Sequence, residues 1–450
     1  MADETRAEPA TLQDLGNGLI LRRASLADRE PLAEFHANTL LAAGETAPLE
    51  RLYHFVLDLM SGQHPTFSPG DFMLVEDTTT GKIVSSLGLI SQKWTYEGIP
   101  FKVGQPDIVS TDPAYRRRGL VRAQMHEAHR WSAARGELVQ GITGIPWYYR
   151  QFGYEMALSL DANRIGNRQH VPTLNEGAPE PYRFRPATTD DLPFIMERYR
   201  QATARSIVAS PRDEALWRYD LEQRGDKSGM RSEFRVIETA EPADKPVGLV
   251  IHPRKLWGSA IGVRLYELTP GVPFLSVTPS LLRYLDATGD EYAKRDGGQF
   301  EALHFGLGEQ HPIYDTIPHR LPQIGTPYSW FVRVPDLSAF VLHIVPALEQ
   351  RLAASPQAGY SGELTVSFYR AGLLFTFQEG RITVAPWTPV DVEEGDAAFP
   401  DLTFLQLLFG FRSLAELQHA YPDCAATTDD ARALLPILFP KHPSHVWSGG

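Results

Sequence analysis

Three consecutive arginines, Arg116, Arg117 and Arg118, stand directly before Gly119 in the run "DIVSTDPAYRRRGLVRAQMHEAHRWSAA" that begins at Asp107. Guanidinium groups suit a phosphate, and a glycine lets the main chain approach an anion with no side chain in between. The flanks complete the arrangement. Ile108, Val109 and Thr111 read as a short β-branched strand, while Val121, Met125, Ala128 and Ser132 recur at steps of four, three and four. That spacing predicts a helix starting near Gly119, whose first N–H groups have no partners within the helix and carry the positive end of its dipole. A strand, a basic glycine-containing loop and a helix N-terminus together can hold a pyrophosphate. Three arginines alone could equally be a solvated charged surface; the strand before them and the helix after them favour a site. The loop lacks the G-x-G-x-x-G spacing of a dinucleotide fold.

A second stretch with chemical potential is "GIPWYYRQFGYEM", Gly144–Met156, an aromatic loop between Pro146 and Gly153. A tyrosine hydroxyl stays protonated at neutral pH and can serve as an acid. Tyr148 and Tyr149 are chemically equivalent from their own surroundings, whereas Phe152 and Tyr154 read as packing residues. Other candidates are weaker. His126 with His129, and His442 with His445, are pairs with no third ligand in view, so no metal site is expected. Cys424 is the only cysteine, which rules out an internal disulfide.

The elements that must carry these residues follow from periodicity and turn signals. A strand is expected over Leu19–Arg23, helices over Arg29–Thr39 and Leu49–Leu59, and strands over Phe72–Glu76 and Ile83–Ser91. Lys93–Lys102 reads as a hairpin around Glu97 and Gly98, the motif strand and helix come next, and a strand over Leu138–Thr143 follows. This order fits a mixed α/β fold with a central sheet.

A chain of 450 residues makes about three domains. The formal charge of -12 argues against nucleic acid as the main partner and accommodates cationic or amine substrates more easily. The N-terminus is acidic and polar, unlike a secretory signal, and no apolar run approaches a membrane span, so the expectation is a soluble cytoplasmic protein with no membrane partner. "FRPATTDDLPFI", Phe184–Ile195, echoes "LRRASLADREPL", Leu21–Leu32, which predicts a second copy of the first fold. That copy has no arginine run followed by glycine. Beyond Trp330 the alternation of Leu364, Val366 and Phe368, then Leu373, Phe375 and Phe377, predicts an antiparallel sheet, and short helices follow, one of them capped by Ser413.

The Arg116–Val121 segment resembles motif A of the GNAT superfamily of N-acetyltransferases: Gln or Arg, two residues, Gly, one residue, then Gly or Ala. Arg116, Gly119 and Val121 hold those places, Val121 departing from the usual small residue. "YYRQFGYE" resembles the corresponding segment of the enhanced intracellular survival branch, Tyr, two residues, then Phe-Gly-Tyr. The resemblance implies a mixed α/β (α+β) chain of two tandem GNAT-like domains, 15–165 catalytic and 180–328 degenerate, then a sterol-carrier-like α+β domain over 330–450. It implies acetyl-CoA as acyl donor, and a primary amine of an aminoglycoside- or polyamine-like molecule, or a lysine side chain, as acceptor. Arg116, Arg117, Arg118, Gly119 and Leu120 would hold the pyrophosphate, and the backbone of Val109 and Thr111 the pantetheine arm. Tyr149 would be the general acid, and the carboxylate of Gly450 would take the amine proton. The "HPSHVWSGG" ending departs from that branch, which leaves Glu50 or Glu97 acting through water as other bases. Such enzymes assemble as homo-oligomers, often hexamers. Two other readings stand beside this one: a protein that binds acetyl-CoA without transferring it, to which Val121 and the Gly449–Gly450 tail would be suited, and a lipid binder acting through the C-terminal domain.

Overall fold

The computed structural model describes residues 11–40, 48–241, 245–391 and 394–447. Among these, nine strands form the largest sheet. Seven come from the N-terminal third: β1 (Thr11–Gly16), β2 (Leu19–Arg23), β3 (Phe72–Asp77), β4 (Lys82–Tyr96), β5 (Ile99–Thr111), β6 (Val139–Ile142) and β7 (Glu155–Leu160). The spatial order runs from β1 to β6, then the strand Tyr328–Arg333, then β7, with Val208–Ala209 added along β4. The chain thus returns to its first sheet from the segment expected to open the third domain.

Side-chain alternation in β3 shows how the sheet is covered. Met73 and Val75 pack with Leu120, Met125, Ala128 and Trp131 of helix α3 (Leu120–Ala134). Phe72 and Leu74 point the other way, into a core with Leu32 and Ala33 of α1 (Arg29–Thr39) and Phe55 and Val56 of α2 (Glu50–Leu59). β4 and β5 are much longer than their hydrophobic stretches suggested. They form one hairpin closed by Glu97 and Gly98, both at positive φ, as a two-residue turn between twisted strands requires.

The echo at Phe184–Ile195 is physical as well as textual. In the first unit Arg22 reaches Asp28 at 2.7 Å and Glu76 at 2.7 Å, and Asp28 also accepts from the backbone of Ser25. In the second, Arg185 reaches Asp191 and Glu238, each at 2.7 Å, and Asp191 accepts from the backbone of Thr188. The same strand–turn–helix entry, Tyr182–Pro186 then Leu192–Thr203, is therefore locked by the same charge triad, less buried in the second unit. The last part of the chain packs Phe340, Phe375, Phe404, Phe409 and Phe439 into a core continuous with Trp94 and Tyr96 of β4. Its aromatic side chains fill one another's space.

The C-terminal tail is held against the second unit. The N–H of Ile207 donates to the Pro443 carbonyl, that of His445 to Val208, and that of Trp447 to the Ser210 hydroxyl at 2.7 Å. Trp447 packs edge-on to Tyr199 and Trp217.

Two fully buried histidines give the fold a pH dependence. Burial drives His36 down to about 3 and His252 to about 4. Both folded values lie below the unfolded value of about 6.5, so the unfolded chain binds the extra protons as pH falls through 6.5, and stability falls with it. Carboxyl groups that burial holds above their ordinary range, such as Asp107, act in the opposite sense at lower pH. The melting temperature is expected to be lower at pH 5.5 than at pH 7.5, and less so in a His36→Asn variant; calorimetry across that range checks it.

Candidate active site

The site begins with an irregularity in β5. Ser86 of β4 lies opposite Ser110, but Gly88, two residues on, lies opposite Asp107, three residues on, so β5 carries one extra residue. That β-bulge places Ile108 at φ 50°. A β-branched residue there is strained by about 1–3 kcal/mol, a strain typical of functional positions. Beyond the bulge β5 also loses its other neighbour. It pairs with β6 only at Val103 and Gly104, so among the described residues no strand lies beside that side from Gln105 onward. The Asp112 N–H donates to Val84 at 2.9 Å, which puts Ser110 in the next bonded pair and turns the main-chain groups of Thr111, and of Val109 before it, toward the open side. An extended ligand arm can pair there.

The open side leads into a cleft of about 570 Å³. Of the residues singled out from sequence, Val109, Thr111, Arg116, Arg117, Gly119 and Leu120 line it. Gly119 caps α3 at φ 79°, and Arg117 also takes a left-handed conformation, so the loop turns back on itself and brings the first amides of α3 to the cleft. A side chain on Gly119 would meet no neighbour within 4 Å; its backbone conformation is what demands glycine. The loop is fixed from below, where the Tyr115 hydroxyl donates to Asp77 at 2.7 Å and Asp112 accepts from the Ala114 N–H. Arg118 turns away: it lies over the Tyr115 ring at 4.7 Å and donates to the Ala114 carbonyl, and it is not part of the cleft wall.

Arg122 joins the wall instead, together with Ile145, Tyr148, Gln151 and Phe152. Its guanidinium donates to Gln151 at 2.8 Å and lies over Phe152. The signal was present in the chain. A cation in the first turn of a helix opposes the dipole, and α3 has no acid there to offset it, so an anion is the expected counterpart. Phe152, expected only to pack, does both. Replacing Arg116 and Arg117 together by glutamine is expected to weaken acetyl-CoA binding by about 10²-fold, with kcat at saturation much less affected, since two charge-assisted contacts to phosphate are removed; titration calorimetry and initial rates separate the two quantities.

Tyr149 lies behind that wall. It is buried, with its ring edge-on to Phe331 at 5.7 Å and to Tyr148 at 5.3 Å. Its hydroxyl sits 3.8 Å from the point where a side chain on Gly144 would begin. Burial, reinforced by the charge of Asp107, raises its pKa well above that of an ordinary phenol. Asp107 was missed by sequence reading. It is half-buried at the bulge, held by the Gln105 amide and the Ile108 N–H, each at 2.8 Å, and burial raises its pKa too.

The other base candidates fall elsewhere. Glu50 is exposed and paired with Lys227 at 2.9 Å. Glu97 occupies the far hairpin turn, roughly 30 Å of strand from the bulge, and pairs with Arg351. Gly450 lies outside the described residues. His129 bonds the Tyr154 hydroxyl at 2.9 Å, and among the described residues no group of three His, Cys, Asp or Glu side chains is placed to hold a metal.

A bulged, one-sided strand feeding a basic loop and a helix N-terminus is a geometry with relatives. Residues 22–157 match the model of the acetyltransferase (GNAT) domain. The chain is accordingly an acetyltransferase enzyme whose acyl donor is acetyl-CoA. No curated protein matches it in sequence. Solved structures resemble it over nearly its whole length. A conserved protein of unknown function from Enterococcus faecalis V583 aligns with TM-score 0.66 and 15% identity, covering 95% of this chain and 98% of that one. A GCN5-related N-acetyltransferase from Anabaena variabilis ATCC 29413 gives 0.61 and 14%, covering 95% and 99%. Eis1 from Mycobacterium abscessus gives 0.58 and 16%, with the same coverage. At such identities the likeness is one of fold, and it extends beyond the acetyltransferase domain to the units that follow.

Proposed function

We propose that the enzyme transfers the acetyl group of acetyl-CoA directly to a primary amine, the class that includes aminoglycosides, polyamines and lysine side chains. The observation that carries this reading is that Asp107 sits at the bulge of β5, near enough for its charge to act on the Tyr149 hydroxyl. Arg116, Arg117, Arg122 and the amides at the start of α3 would hold the pyrophosphate, and the open-side groups of Val109 and Thr111 the pantetheine arm and thioester carbonyl. Acetyl-CoA supplies an activated acyl carbon. Asp107 accepts the proton of the incoming ammonium, which frees the nitrogen lone pair to form the C–N bond. Tyr149 donates its proton to the thiolate as the C–S bond breaks, and the phenolate so formed takes the second proton of the nitrogen, leaving the amide, the free thiol and a protonated Asp107 that returns its proton to solvent. A phenol whose pKa is raised stays protonated throughout the neutral range, and a carboxylate whose pKa is raised is a stronger base than an ordinary one.

The second unit, which lacks the arginine–glycine loop, serves as a wall and brace, and the aromatic core of the last unit supports a structural role for it over lipid carriage. The test is release of free thiol from acetyl-CoA in the presence of representative amines, with mass analysis of the amine. Equimolar thiol and acetylated amine is the expected result. Acetyl-CoA binding with no thiol release for any amine class would leave the acyl-CoA-binding protein as the better account.

A further inference from the structure

A cavity of about 700 Å³ lies along the free edge of β4. On that side β4 loses β3 at Gly88 and gains Val208–Ala209 only at Thr95 and Tyr96, so among the described residues Leu89–Trp94 have no strand beside them on that edge. The side chains that wall the gap are unusual for a chain of charge -12. Four are cationic, Lys93, Lys102, Arg135 and Arg212, against two carboxylates, Glu137 and Asp213. Glu137 accepts from the Ser91 hydroxyl at 2.6 Å through one oxygen, its other oxygen being buried without a hydrogen-bond partner among the described residues, and Asp213 caps a helix by accepting from the Leu216 N–H. Arg135 is held by Asp71 and Arg212 by Asp220, each at 2.5 Å.

The two lysines remain. Lys93 stands directly opposite Lys102 across the hairpin, an arrangement of like charges that destabilises a strand pair unless something neutralises it. Neither forms an ion pair among the described residues; the Lys102 ammonium donates only to the Arg135 carbonyl, at 3.3 Å. Their charge is available to a ligand. A row of hydrogen-bonded side-chain amides, on the face of the sheet opposite the two lysines, links the cavity to the reacting centre. Gln92, in its wall, donates to Gln105 at 2.5 Å, and Gln105 donates to Asp107 at 2.8 Å. About 17 Å of strand separates Lys102 from Asp107.

We propose that this cavity is the acceptor's second subsite, and that it binds an anionic group, carboxylate or phosphate, remote from the amine to be acetylated. The proposal rests on the reading of the enzyme as an amine acetyltransferase. It narrows the acceptor class, which the resemblance leaves open between aminoglycoside- or polyamine-like molecules and lysine side chains, toward an amine on an acidic scaffold, because the two lysines without ion-pair partners attract an anion.

Four end-blocked peptides test it, each with one lysine followed by two glycines and then by a glutamate pair, a phosphoserine, a glutamine pair or an arginine pair. The value of kcat/KM is expected to be roughly tenfold higher for the acidic peptides than for the glutamine peptide, the yield of one well-placed charge contact, and lowest for the arginine peptide. A lead for glutamate assigns a carboxylate and a lead for phosphoserine a phosphate. Lys93→Gln with Lys102→Gln should bring the acidic-to-neutral ratio close to one. Equal rates in the wild type, or an acidic preference that survives both substitutions, overturn the subsite. If no peptide is acetylated although acetyl-CoA binds, the transferase reading fails separately. Fluorescence anisotropy then decides the cavity: acidic peptide held by the wild type and released by the double variant supports it, and no selective binding removes it.

Discussion

Phenylalanine in place of Tyr149 is expected to lower kcat by about 10²–10⁴-fold, the usual contribution of a positioned general acid, while acetyl-CoA affinity stays close to that of the wild type. The substitution removes one oxygen and keeps the ring, and the ring is what packs against Phe331, Tyr148 and Tyr154. Among the described residues the hydroxyl has no hydrogen-bond partner whose loss would disturb the fold. Because burial raises the phenol's pKa, the loss should be similar at every pH in the neutral range. Tyr148→Phe is the matched control: Tyr148 lines the acyl-CoA cleft, so it should affect KM for acetyl-CoA more than kcat. A large fall in kcat for Tyr148→Phe with none for Tyr149→Phe would move the acid to the neighbouring residue.

Asp107→Asn is expected to reduce kcat/KM for the amine by about 10²–10³-fold at neutral pH, within the range of a general base. The pH dependence identifies the role. In the wild type, activity should rise with pH through a limb that lies above the ordinary aspartate range, because the base must be deprotonated to act and burial raises its pKa. The asparagine variant should lose that limb and regain activity in alkali, where the free amine needs no base. Tyr149→Phe should show no such recovery. A structural role for Asp107 would instead lower activity equally at all pH values, since Asn keeps a hydrogen-bond acceptor for the Ile108 N–H but not the charge.

The anion cradle was legible from sequence because its parts are contiguous. Arginines, glycine and the start of a periodic helix lie within a few residues, and local physics fixes their geometry. The α1, β2 and α3 elements were legible for the same reason. Asp107 was not, because a bulge is a mismatch in register between two strands and cannot be seen in either alone. The destination of Tyr328–Arg333 was hidden likewise: its alternation predicts a strand, but its place between β6 and β7 is set by partners nearly two hundred residues away. Arg118 illustrates the opposite error. Three adjacent arginines look equivalent in sequence, yet the turn that brings Arg117 into a left-handed conformation sends the next side chain back over Tyr115. The lysine pair on β4 and β5 was visible as composition, but only pairing set Lys93 against Lys102.

The most direct measurement is a single-turnover reaction quenched with acid, with enzyme in excess over acetyl-CoA labelled in the acetyl group and an amine present. Direct transfer beside Tyr149 and Asp107 predicts that label leaves CoA and arrives on the amine in one phase, with none found on the protein. Label lodged on a protein side chain before it reaches the amine, or retained on CoA while the loop around Arg116 and Gly119 binds it fully, would contradict the account.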